Sequence, residues 1–304
     1  MAKLTASHDP DPIGFRFDIG FGRAFDTIHA TEQAPEIFRY IEQAYVSWKP
    51  KSAKGFEADF GEFVTSAGAE VIETKDNWNY SRSLLFAWAV PYYHFGLRMS
   101  QPIGAWNIGL QVVNGWNDVE DNNSGKTIGI TGGITKKKFT WSNNYYVGPE
   151  KPFIAGIRHS QDGNRNLYDT TLLLTPADAF SAYLNFDYGQ DRFVPGNGLG
   201  FGPGHARWVG FAGALHFQLN KYFAITPRGE WFNDADGFET GTAQKLHEFT
   251  LTGEYKMVEG LLARLEYRRD DSSAPFFYRG QTPNSSKSQT TVTLGIVAYF
   301  GPKR

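Results

Sequence analysis

Hydrophobic and polar residues alternate with a period of two along most of this chain. In residues 13–21, Ile13, Phe15, Phe17, Ile19 and Phe21 take one parity and Gly14, Arg16, Asp18 and Gly20 the other. That rhythm puts the two sets on opposite faces of a β-strand. It recurs at 40–48, 56–63, 93–100, 106–112, 126–134, 139–147, 168–175, 180–188, 208–219, 222–231, 248–256, 261–269 and 290–300, which predicts an all-β chain of about fourteen strands. The last stretch carries Val292, Leu294, Ile296, Ala298 and Phe300 on one parity and ends on the aromatic pair Tyr299-Phe300. Its length suits the ~9–11 residues that a tilted strand needs to cross a bilayer.

The connections add a second regularity. Short ones at 49–55, 101–105, 135–138, 176–179, 220–221 and 257–260 alternate with long ones at 22–37, 64–92, 114–125, 148–167, 189–207, 232–247 and 270–289. An antiparallel up-and-down barrel has this parity, with tight turns at one rim and long loops at the other. An even strand count places both termini at the short-turn rim, the periplasmic one in outer-membrane barrels. Residues 1–11 are then a lead-in to the first strand, and the whole chain is one domain.

Periodicity alone fits a sandwich with an apolar core as well as a barrel with an apolar exterior. Strand number separates them, because a closed barrel of about fourteen strands is too wide for side chains to fill. The apolar parity, read as free of charge, is therefore assigned to lipid and the charged parity to a water-filled lumen. The predicted lining is Arg16, Asp18, Glu57, Asp59, His94, Arg98, Asp187, Arg228, Glu230, Glu254, Arg264, Glu266 and Arg268. A cation facing lipid at mid-depth would cost about 2–4 kcal/mol. As a lining, these residues either tune selectivity or simply brace the wall through ion pairs worth ~0–1 kcal/mol each. Their mixed signs argue against a strongly selective ring. The longest connection, 64–92, holds Glu70, Glu73, Lys75, Asp76 and Arg82, followed by the apolar Leu84-Leu85-Phe86-Ala87-Trp88. Such a tail is ill suited to open solvent, so this loop is expected to fold inward and narrow the pore.

Composition permits this reading. The 304 residues are 41% hydrophobic, 16% aromatic and 20% charged, with a mean hydropathy of -0.41. No apolar run approaches the ~18 residues of a membrane helix, while a barrel wall hides its hydrophobicity by alternation. There are no cysteines, which excludes a disulfide scaffold, and the net charge of -2 gives no case for nucleic acid. The acidic stretches at 118–123 and 233–237 offer oxygen ligands without the twelfth-position Glu of a calcium loop, and read as solvated turns. No nucleophile-elbow, metalloprotease or phosphate-loop pattern occurs, so no catalytic residue, metal or cofactor is expected. The opening Met1-Ala2-Lys3-Leu4-Thr5 lacks the apolar segment of a secretory signal.

Several blocks also resemble a known family. They are Asp59-Phe60-Gly61-Glu62-Phe63-Val64-Thr65, Gly68-Ala69-Glu70-Val71-Ile72-Glu73, Asn77-Trp78-Asn79-Tyr80-Ser81-Arg82-Ser83-Leu84-Leu85-Phe86, Val113-Asn114-Gly115-Trp116-Asn117, Tyr145-Tyr146-Val147-Gly148-Pro149-Glu150 and Arg264-Leu265-Glu266-Tyr267-Arg268-Arg269-Asp270. Together they resemble the OmpL-like β-barrel porins over nearly the whole chain. The resemblance implies a porin in the outer membrane of a Gram-negative bacterium, passing small hydrophilic solutes or ions by diffusion. Its partners would be the lipid bilayer, lipopolysaccharide and those solutes, as a monomer or a trimer. Such proteins carry a signal peptide and further strand-forming sequence ahead of the equivalent of Pro12-Ile13-Gly14-Phe15, which makes sixteen strands the alternative to fourteen. Two other readings compete: a carbohydrate-binding β protein that uses its many Trp and Tyr, and a barrel hydrolase.

Overall fold

Every stretch of alternation becomes a strand that pairs with its predecessor. In the computed structural model, which describes residues 1–32, 34–151, 163–193 and 204–301, the strands are β1 (Ala2–His8), β2 (Ile13–Phe21), β3 (Ile41–Trp48), β4 (Glu57–Val64), β5 (Tyr93–Ile103), β6 (Trp106–Val113), β7 (Thr127–Lys136), β8 (Phe139–Gly148), β9 (Arg165–Ala177), β10 (Phe180–Phe193), β11 (Gly204–Gln218), β12 (Phe223–Asp234), β13 (Gln244–Val258), β14 (Leu261–Ser272), a small hairpin of β15 (Phe277–Arg279) with β16 (Thr282–Ser286), and β17 (Ser288–Ala298). Leaving out the hairpin, they form one antiparallel sheet of fifteen strands in chain order. Two short helices sit in long connections, α1 (Arg23–Ile28) and α2 (Leu84–Trp88).

The fifteenth strand is β1, which replaces the expected lead-in. It pairs with β2 from Ala2 opposite Phe21 to His8 opposite Phe15. Its one large apolar residue is Leu4, so hydrophobic alternation barely marks it. Lys3 on the other parity reaches Asp18 of β2 at 3.0 Å. Adding this strand moves the start of the wall to the long-connection rim while β17 ends at the short-turn rim. The two ends of the described wall therefore do not share a rim, as an even count had implied.

The two faces differ as the physics of a membrane requires. Phe60 is 60% and Leu294 73% exposed on the outside, whereas Arg228 is 1% and Asp187 0% exposed on the inside. Near the long-connection rim the outward row carries the charges Lys245, Arg269 and Asp271, and two carboxyls of that parity on β3 and β4 turn inward. Glu42 lies on the apolar parity of β3, but the ladder slips between Asp18 and Ile19, and the bulge lets Glu42 take a hydrogen bond from Lys3 at 2.7 Å. Glu62 follows Gly61, whose φ of 136° is open to glycine alone, and it turns toward His29 at 3.8 Å.

The wall curls until its first and last strands meet the same loop. Glu73 is paired with Lys3 of β1, and the Tyr80 ring packs over Gly295 of β17. Seven residues of chain span at most about 25 Å, so the two edges are drawn together around one lumen.

Candidate functional site

The connection between β4 and β5, residues 65–92, runs along the inside of this wall. Its backbone and side chains are satisfied by inward residues taken in strand order. Ser66 donates to Asn144 of β8 at 2.9 Å, the Gly68 N–H to Asp169 of β9 at 2.9 Å, and the Ala69 N–H to Asn185 of β10 at 3.2 Å. Further on, Asn79 donates to Thr252 of β13 at 2.7 Å, and Glu266 of β14 accepts from the N–H groups of Tyr80 and Ser81 at 2.7 and 3.0 Å. Arg264 donates to the carbonyls of Thr74 and Asn79, and Arg268 to that of Arg82. A loop buried inside a wall must place its peptide groups this way, because each unpaired buried group costs about 1–3 kcal/mol.

Two elements fix the loop's far end. Ser83 caps α2 by accepting from the Phe86 N–H at 2.9 Å, and Glu230 of β12 accepts from the Leu85 N–H at 3.2 Å. The apolar face of α2 then needs apolar partners. Leu84, Leu85, Ala89 and Val90 pack with inward Tyr146, Tyr183, Trp208, Phe232 and Leu246. A Cβ on Gly210 would come within 2.6 Å of Leu85 Cδ1, so that glycine makes the seat for the helix. The inside of the wall is thus ionic in part and apolar beneath α2, which the expectation of a purely ionic lining did not include.

At the centre lies Arg228 of β12. It donates to Glu70 of the loop at 2.6 Å and to the Ser81 carbonyl at 2.9 Å, and its Nε lies 3.2 Å from both Glu230 and Glu248. A guanidinium offers five donors in a fixed fork, which suits one cation bridging several carboxylates.

The expected lining residues fall into two groups. Asp18, Asp59, His94, Asp187, Arg228, Glu230, Arg264 and Glu266 are buried. Arg228, Glu230, Arg264 and Glu266 meet residues 65–92, Asp18 and Asp59 meet Lys3 and Arg98 of the wall, and His94 meets the Gly115 carbonyl. Arg16, Glu57, Arg98, Glu254 and Arg268 keep part of their surface accessible. Arg98 of β5 pairs with Asp59 of β4 at 2.7 Å, Glu57 with Lys49 at 2.8 Å, and Arg264 with Glu254 at 2.8 Å. Of the loop residues, Glu70 and Glu73 bind the wall, Arg82 ties the loop to itself through the carbonyls of Ile72 and Tyr80, and Lys75 and Asp76 are exposed and paired together. Sequence reasoning missed Lys3, Asn144, Asp169, Asn185, Thr252 and Glu248. Asp169 and Asn185 were visible as polar positions opposite apolar ones, but nothing in the chain said that a loop would sit on them.

The family model described as "Putative beta-barrel porin-2, OmpL-like" matches residues 1–300. A search of curated proteins finds no match. Among solved structures, the chain is similar to OmpT, an outer membrane protein of Vibrio cholerae, with a TM-score of 0.63 at 12% identity over 98% of this chain and 88% of that one. It is also similar to the outer membrane channel DcaP of Acinetobacter baumannii, with a TM-score of 0.62 at 11% identity over 97% and 82%. A third is Salmonella typhi OmpF, solved in complex with daunomycin, with a TM-score of 0.62 at 11% identity over 98% and 89%. At these identities the likeness is one of fold, that of an antiparallel transmembrane barrel.

Proposed function

This chain belongs to the OmpL-like beta-barrel porin-2 family and is an outer-membrane porin, and on that premise we propose that small hydrophilic solutes diffuse through a lumen narrowed by residues 65–92. The observation that carries the reading is the loop's chain of hydrogen bonds to inward side chains from β8 round to β14 and on to β1. A loop so placed takes up cross-section that the strand count would otherwise leave to water. Arg16, Glu57 and Arg98, the accessible members of the inward row on β2, β4 and β5, are the side chains a solute would meet. Both signs occur there, so selectivity between small ions is weak. The protein does no covalent chemistry on what it passes. The outer apolar face meets hydrocarbon, the short turns face the periplasm, and the long connections face outward among lipopolysaccharide.

Planar bilayers test this directly. The reconstituted protein is expected to give stepwise, ohmic conductance. Since the chain has no cysteine, Arg98→Cys supplies a single thiol, and a charged, membrane-impermeant thiol reagent should cut the step size. Absence of steps refutes the channel, and labelling without effect removes Arg98 from the route.

A further inference from the structure

Five of the long connections close around a cavity of about 330 Å³ at their rim, away from the ion pairs just described. Asp118 and Asn122 come from 114–126, Glu150 from the chain after β8, Glu239 from 235–243, and Trp88 and Tyr92 from the end of the inward loop. Thr31, Trp116 and Arg165 complete the contrast of rings, carboxyls and one guanidinium.

Among the described residues that line this cavity, carboxyls outnumber cations. Arg165, the cation in that lining, is shared among several acids: its Nε lies 2.9 Å from Asp191, it faces Glu239 and Glu150, and it stacks at 4.7 Å on the Trp116 ring and at 5.2 Å on Phe238. Three carboxyls remain. Glu150 holds the Trp116 N–H at 2.8 Å and the Thr127 hydroxyl, and Asp118 takes one donor from Asn122 at 2.7 Å. Glu239 Oε1 is shut off from water and has no hydrogen-bond partner. Gly115 lets two of these groups approach, since a Cβ there would meet Glu150 Oε2 at 2.8 Å and Asp118 Oδ2 at 3.3 Å. Burial pushes Asp118 up to about 8, Glu150 to about 7 and Glu239 to about 8, and Arg165, the cation they share with Asp191, offsets this only in part.

We propose that this cavity binds a small organic cation, an amine or guanidinium compound whose charged head is held by Asp118, Glu150 and Glu239 against the rings of Trp88, Trp116 and Tyr92. A bare metal ion fits less well. The cavity is at the small end of the range that holds organic ligands. Among the described residues, the carboxyls close enough to share an ion are Asp18, Glu42 and Glu73, and the Lys3 ammonium already sits between them. Aromatic walls attract cations through the ring face, a contribution that an aquated divalent ion does not collect as readily as a weakly hydrated organic one. The site goes beyond the pore and does not depend on it.

Titration of the detergent-solubilised protein with putrescine tests the proposal, followed by tryptophan fluorescence and calorimetry at pH 8.5. Saturable binding is expected, weakened at least tenfold by Glu239→Gln and by Asp118→Asn, with calcium chloride giving no comparable signal. No saturable binding overturns the proposal. So does binding that both variants leave unchanged, and so does calcium binding of equal strength at the same residues. Conductance of the same preparation in planar bilayers without putrescine separates the two readings: conductance without binding refutes the site alone, and binding without conductance refutes the pore alone.

Discussion

Replacing Arg228 by Met removes the cation that bridges Glu70, Glu230 and Glu248 while keeping a side chain of similar length. Arg228 is 1% exposed, and the side chains of these three carboxylates are 0–4% exposed, so water is poorly placed to take over its role. Removing one partner of a buried ion pair typically costs about 3–5 kcal/mol, because the remaining charge is left uncompensated. Here Glu70 and Glu230 lose their ion-pair partner and Glu248 keeps only Arg268 at 4.0 Å, so the upper part of that range is expected for Arg228→Met. Glu70→Gln removes the loop's charge from Arg228 and sets an amide NH2 against one of the donors Glu70 now accepts from, Arg228 or the Ser83 N–H, and should cost about 1.5–3 kcal/mol. The two residues are in contact, so the losses are not additive, and a double-mutant cycle should give a coupling of at least ~1 kcal/mol. Equilibrium urea unfolding of the refolded barrel in lipid vesicles, read by tryptophan fluorescence, measures all four corners. A single variant within about 0.5 kcal/mol of the parent, or a coupling below that error, refutes the reasoning, since the loop would then not be held through Arg228.

Gly295→Ala on β17 puts a Cβ about 2.2 Å from the Tyr80 ring. It is expected to lower stability by roughly 1–3 kcal/mol through overpacking and to speed protease cleavage within 65–92; a neutral or stabilising result removes the loop from that strand. Asp187 and Asp169 stand directly opposite one another across β9 and β10, both buried. Two facing carboxyls destabilise a sheet when both are ionised, so at alkaline pH Asp187→Asn should raise stability by up to about 1 kcal/mol, and a lower urea midpoint there contradicts this. At the long-connection rim, Asp118, Glu150 and Glu239 are faced by Arg165, Glu32, Asp121, Asp191 and Asp234. Because burial raises these three carboxyls above their unfolded values, their protonated forms favour the folded rim. Its resistance to limited proteolysis should be full near pH 4 and fall as pH rises through about 7–8. The triple Asn and Gln variant should flatten that dependence, and an unaltered slope excludes these groups as its source.

Much of the wall was legible because the period of two is a local property. In β10, Phe180, Ala182, Leu184 and Phe186 against Ser181, Tyr183, Asn185 and Asp187 specify a strand and both of its faces without knowledge of any other residue. β1 was illegible for the opposite reason, since Ala2, Leu4 and Ala6 are too small or too few to mark a face, and its strand character comes from pairing with β2. Glu42 shares the apolar parity of β3 yet faces inward, because a bulge is a property of two strands, not one. The loop's inward fold was suggested by its apolar tail but its route was not, because its partners lie far along the chain: Gly68 is 101 residues from Asp169, and Tyr80 is 186 from Glu266. Burial of Arg228, Glu230, Arg264 and Glu266 follows from that route, since these four hold the loop, whereas Asp18, Asp59 and His94 are buried against Lys3, Arg98 and the Gly115 carbonyl.

Single-channel conductance before and after excision of residues 68–83 measures the central claim most directly. That segment includes Gly68, Ala69, Glu70, Asn79 and Tyr80, which bind the wall from β9 to β14. With the loop in the lumen, its removal should raise the conductance step severalfold in a barrel that still inserts and still migrates as a folded species. An unchanged step from such a barrel would mean that residues 65–92 do not set the width of the passage.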